Sequence, residues 1–161
     1  MFAIGDKVVH PRYGAGTIVD IEEKRMGGEA ARYYIIELIG RPSRLMVPVD
    51  NADNIGLRPP IRQIQRVFQV LTEEPVPLPS DHRARREQLT ELLRTGDPLL
   101  IGEVLRNLAW RDHRSRLTEA DSKLYQQAQN FLAGELAASQ GIDLEEARGQ
   151  LLSALDLPNE G

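Results

Sequence analysis

What most limits the fold of this chain is a change of hydrophobic period near residue 60. Before it, short runs alternate apolar with polar residues: Asp6-Lys7-Val8-Val9-His10, Thr17-Ile18-Val19-Asp20-Ile21, residues 32–38 and residues 44–49. Between them lie the turns Tyr13-Gly14-Ala15-Gly16, Gly27-Gly28 and Gly40-Arg41-Pro42-Ser43. A period of two, broken this often by Gly and Pro, predicts a small SH3-like or Tudor-like β-barrel. Gly14 and Gly16 are expected at positive φ. Pro48 cannot donate to a ladder and is expected at an edge or a bulge.

After residue 60 the apolar residues recur at helical spacing. Ile61, Ile64, Phe68 and Leu71 share one face, in a helix that must stop before Pro75-Val76-Pro77-Leu78-Pro79. A second helix is expected over about residues 81–94, closing at Thr95-Gly96. Asp97-Pro98 opens a third, with aspartate as cap and proline where a missing N–H costs nothing. Thr118-Glu119-Ala120-Asp121 resembles a capping box and starts a long helix with Leu124, Ala128, Phe131, Leu132 and Leu136 inward. Asp143 to Glu146 caps a last helix carrying Leu144, Ala147, Leu151 and Leu155. The expected fold is α+β in two domains: a β-barrel over residues 1–58 and an all-α domain of four to five helices over 59–161, hinged near 56–62.

Composition removes several functions. With no cysteine there are no disulfides, thiolate metal sites or cysteine nucleophiles. No charged-then-apolar leader and no run of 18 apolar residues is found, so neither secretion nor a membrane span is expected. The net charge of −4 is unevenly spread: residues 61–118 hold 10 basic and 8 acidic side chains, residues 119–161 hold 2 and 8. Overall acidity argues against indiscriminate coating of nucleic acid, while a local basic face stays compatible with guided contact.

The densest chemistry lies at residues 79–116. Ser80 or Asp81 can cap a helix whose first residues are His82, Arg83, Arg85 and Arg86. A flat ring among guanidiniums at a helix N-terminus suits phosphate and stacked bases, and it equally describes a solvated helix end. His10, His82 and His113 lack partners at metal-ligand spacing on one helix, and His10 is read as a strand residue at the barrel rim. Glu22-Glu23 and Glu145-Glu146 point in different directions, and no phosphate loop or serine nucleophile is discernible. No metal, no cofactor and no enzymatic activity is expected. Trp110 follows an apolar stripe and is read as core or domain seam.

Ile4-Gly5-Asp6-Lys7-Val8-Val9-His10-Pro11-Arg12-Tyr13-Gly14-Ala15-Gly16 resembles the opening of the CarD/CdnL-type bacterial transcription regulators. Val47-Pro48-Val49-Asp50-Asn51-Ala52 resembles the same family, as does Gly96-Asp97 continuing through Glu103-Val104-Leu105-Arg106-Asn107-Leu108. The barrel also resembles the RNA-polymerase-interacting module of the transcription-repair coupling factor. The likeness runs over about residues 1–138.

The resemblance implies a monomeric cytoplasmic adaptor, brought to the nucleoid by RNA polymerase and without membrane contact. Its barrel would add strand to strand on the polymerase β subunit, using Lys24, Arg25, Arg44, Met46 and Pro48; Met46 stands where some relatives have arginine. Its helical domain would meet the minor groove of promoter DNA at the upstream edge of the bubble and slow collapse of the open complex. His82 falls where the family has a wedging tryptophan, so the wedge would be weaker or shared with arginines. Arg83, Arg85, Arg86, Arg106, Arg111 and Lys123 would hold phosphate, and Ser122-Lys123 keeps half of a basic pair common in the family. The alternative is a protein-interaction scaffold whose helical domain docks another protein and touches no DNA.

Overall fold

In a computed structural model, residues 1–155 are described. Strands β1 (Lys7–His10), β2 (Gly14–Met26), β3 (Glu29–Leu38) and β4 (Arg44–Pro48) form one antiparallel sheet in the order β1-β2-β3-β4. The sheet curls into a half-barrel, and its register shifts between Ile18 and Asp20, the kind of irregularity that bends a strand. Val9 bridges Arg58, which covers the β1 edge, and among the described residues the outer strand β4 is left without a partner on its far side. Pro48 ends that edge strand, as its missing donor requires. Gly14 has a positive φ of 87°, but Gly16 does not. Gly16 is needed for room instead: a Cβ there would lie 2.5 Å from Ile36 Cγ2 and 2.8 Å from Glu37 O.

Five α-helices follow among the described residues: α1 (Gln65–Thr72), α2 (His82–Arg94), α3 (Pro98–Arg114), α4 (Glu119–Gln140) and α5 (Leu144–Ala154). The caps read from sequence are in place. Asp81, Asp97, Thr118 and Asp143 each accept a backbone N–H of the turn they open. Helix α1 starts later than its apolar spacing suggests: Ile61 precedes it and Ile64 is its cap, though both still pack on the helical core.

Two apolar clusters hold the molecule together. Val8, Ile18, Tyr34, Ile36, Leu38 and Val47 fill the sheet. Val67, Leu89, Ile101, Leu105, Leu108, Leu132, Leu136 and Leu151 lie in the larger helical core. Helix α4 serves both domains: it is buried continuously from Leu132 to Ala137, with Gly134 close against Ala15 of β2.

That contact pins the joint expected to hinge near 56–62. The Glu135 carboxylate, fully buried, accepts from Arg58 Nη2 at 2.6 Å, from Arg58 Nη1 at 2.9 Å and from the Ile61 N–H at 2.8 Å. Arg58 Nη2 also donates to Gly96 O at 2.9 Å, and Ser139 Oγ donates to Ile61 O at 3.0 Å. A charge buried this deeply is tolerable only with its partners present. The connection is therefore a fastening between sheet and helices.

Candidate functional site

Helix α2 begins where the Asp81 carboxylate accepts the Ala84 N–H at 2.8 Å. His82, Arg83 and Arg86 stand exposed on its first turns, and Arg85 turns inward. Arg85 Nε donates to both Asp121 oxygens at 3.0 and 3.2 Å, and Nη1 donates to Pro79 O and Ser80 O. Its Nη2 lies 2.9 Å from His82 Nδ1. A guanidinium only donates, so in this contact Nδ1 is the acceptor.

Asp121 also draws Arg111 Nε to 3.6 Å, so one carboxylate gathers the start of α2, the end of α3 and the start of α4. Burial raises the Asp121 pKa. Hydrogen bonding and charge from Arg85, the Thr118 hydroxyl and the charge of Arg111 outweigh it and hold the carboxyl below the ordinary aspartate value.

The end of the molecule so formed carries the His82 ring and, from the expected phosphate-holding set, Arg83, Arg86, Arg111 and Lys123. Arg83 approaches Glu87 at 3.9 Å and Lys123 approaches Glu119 at 4.0 Å, both as exposed pairs that contribute little and yield readily to another anion. Two expected members are not available there. Arg85 is 1% exposed and fully engaged. Arg106 is buried as well, donating to Val70 O and Asn107 Oδ1 and pairing with Glu73, where it locks the end of α1 onto α3.

Trp110 differs from expectation in the other direction. It is half-buried, with the Arg114 guanidinium 5.2 Å from its ring centroid and the His113 ring 6.1 Å away. Arg114 escaped the sequence reading; its signal is its spacing of four from Trp110, which puts both on one helix face.

At the opposite domain, β4 alternates exposed Arg44 and Met46 with the more buried Leu45 and Val47, and its outer side has no strand partner among the described residues. Met46 is 45% exposed, and Arg44 pairs with Glu37 at 3.4 Å on the adjacent strand. Lys24 and Arg25, expected in the loop after the second strand, lie in β2 itself, opposite Ala31 and Ala30. The ladder continues through this polar stretch, where Glu23 stands opposite Arg32. Residues 29–32 of β3 continue past the last β4 pairing at Tyr33, so this hairpin arm overhangs the open edge.

Among the described residues no three His, Asp or Glu side chains gather as a metal site requires. His10 caps the β1–β2 turn, its Nδ1 accepting from Arg12 N at 3.0 Å and Tyr13 N at 3.3 Å. Burial, then the charge of Arg12, lowers its pKa.

Residues 2–61 match the family model of the CarD-like/TRCF RID domain, and residues 66–152 match that of the CarD C-terminal domain. The chain belongs to the CarD family. Among its relatives is a Bacillus subtilis (strain 168) protein named "Putative transcription factor YdeB", 31% identical over 147 residues that cover 88% of this chain and 94% of that one. In this CarD-family chain the two domain matches meet at the fastening around Glu135, with the open sheet edge in the first and the cationic helix end in the second. Among the described residues no helix is long and apolar enough to cross a membrane.

Proposed function

We propose that the chain regulates transcription by binding the β subunit of RNA polymerase along β4 and stabilising the promoter open complex with the α2 end. Support comes first from one juxtaposition: an unpaired sheet edge and a cationic, ring-bearing helix end sit on a single fastened body. An open edge accepts an added strand through main-chain hydrogen bonds, with alternate side chains such as Met46 giving specificity. The transcription factor name of YdeB and the family match agree with this reading.

At the other end, Arg83, Arg86, Arg111 and Lys123 set register on phosphates, and the His82 ring stacks at a base step already parting. A stacked ring contributes about 1–3 kcal/mol, which is roughly 5- to 150-fold in an opening equilibrium. Arg85 supports the ring from behind and touches no DNA. Met46→Asp should weaken capture of the polymerase β lobe by the full chain. His82→Ala should leave capture intact and shorten open-complex lifetime. Normal capture by the Met46 variant together with normal lifetimes for the His82 variant would overturn the proposal. Capture without any footprint at the bubble edge would favour the scaffold.

A further inference from the structure

A second cationic feature lies at the far end of α2, about 18 Å along the helix from His82 at 1.5 Å per residue. There the β1–β2 turn, the β3–β4 turn and helices α2, α4 and α5 enclose a cleft of about 1050 Å³. Four arginines line it, Arg12, Arg41, Arg94 and Arg148, and no aspartate or glutamate does. None of the four pairs with a carboxylate among the described residues. In a chain with net charge −4 this is a marked segregation, and like charges around one hollow repel unless an anion sits between them.

The cleft is built in further respects. Arg41 Nη2 donates to Tyr13 O at 2.9 Å, which fixes the two turns side by side. Arg148 Nη2 donates to Asn130 Oδ1 at 2.8 Å, while its Nε is buried with no acceptor. The Arg12 guanidinium lies 5.3 Å from the Tyr13 ring centroid, and Phe131, Leu93 and Leu144 give the cleft an apolar floor. The amides of Gln126 and Gln127 offer donors and acceptors on the α4 wall.

We infer that this cleft binds a nucleoside polyphosphate, its phosphates held by Arg12, Arg41, Arg94 and Arg148 and its base set against Tyr13 and Phe131 near the α4 amides. Guanidinium forks match phosphate oxygens, and the volume suits a mononucleotide. Both domains line the cleft, so an occupant bridges them. The inference stands independently of the proposed contacts with polymerase and promoter.

The test is titration of the ¹⁵N-labelled full chain with ATP, GTP, pyrophosphate and a short oligothymidylate. Expected are saturable shifts for a nucleoside triphosphate at Gly14, Gly40, Arg94 and Asn130, with the His82 amide unmoved. Arg12→Gln and Arg94→Gln, both at exposed positions, should each weaken that binding about tenfold or more while keeping the wild-type spectrum elsewhere. Three results overturn the inference: no saturable shift, pyrophosphate bound as tightly as the nucleotides, or shifts at these residues from the oligonucleotide alone. Should a Gln variant unfold, the wild-type shift map decides by the same criteria.

Discussion

Replacing Glu135 by alanine tests the fastening between sheet and helices. The substitution removes two hydrogen bonds from Arg58 and one from the Ile61 N–H, all to a carboxylate that is fully buried. Breaking a buried pair from one side costs about 3–5 kcal/mol. Arg58 is 30% exposed and keeps Pro59 O and Gly96 O, so partial hydration puts this contribution near the low end, about 3 kcal/mol. The stranded Ile61 N–H adds about 1 kcal/mol. A total of roughly 4 kcal/mol corresponds to about 8–16 °C in Tm for a chain of this length. Urea unfolding followed by far-ultraviolet circular dichroism, with a thermal scan beside it, measures both quantities. The double variant Arg58→Met with Glu135→Leu should recover most of the loss, since it leaves no charge buried alone. A loss under about 1 kcal/mol for Glu135→Ala would refute the reasoning and return the joint to a hinge.

Arg85→Met should cost about 3 kcal/mol, because Asp121 keeps, beside the Thr118 hydroxyl, only the charge of Arg111 at 3.6 Å; adding Asp121→Leu should restore much of it in the same denaturant assay. Gly96→Ala should destabilise by about 2 kcal/mol or more in thermal unfolding, since Gly96 has φ +65° and a Cβ would sit 2.6 Å from Pro11 Cα. His10 has a lowered folded-state pKa, so the unfolded chain binds more protons just below the ordinary histidine value. Its contribution is therefore complete above about pH 6.5 and lost as the pH falls through the folded value; His10→Gln should flatten that slope in pH-dependent unfolding.

Much of this fold can be read from local signals. Asp81, Asp97, Thr118 and Asp143 announce four helix starts, because capping depends on one side chain and the turn beside it. The long-range partners are harder. Arg85 looks like part of a basic burst, yet it stands four residues before Leu89 and shares its buried face; the carboxylate that balances its charge, Asp121, lies 36 residues on. Arg106 hides in an apolar helix by the same logic. Glu135 lies in a stretch of α4 whose small residues, Ala133, Gly134 and Ala137, are the trace of a second packed face, and an inward periodicity of leucines masks it. The cleft arginines come from four separate segments, so no local window contains the site.

The clasp at Glu135 makes the molecule a gauge and not a tether. Two grips on a floppy connector meet their targets at a local concentration diluted over every pose the connector allows. Here the spacing between sheet edge and helix tip is set once, at folding, so under the proposed function seating one end would aim the other with little further ordering. Under the proposed function, targets held at any other separation would be refused.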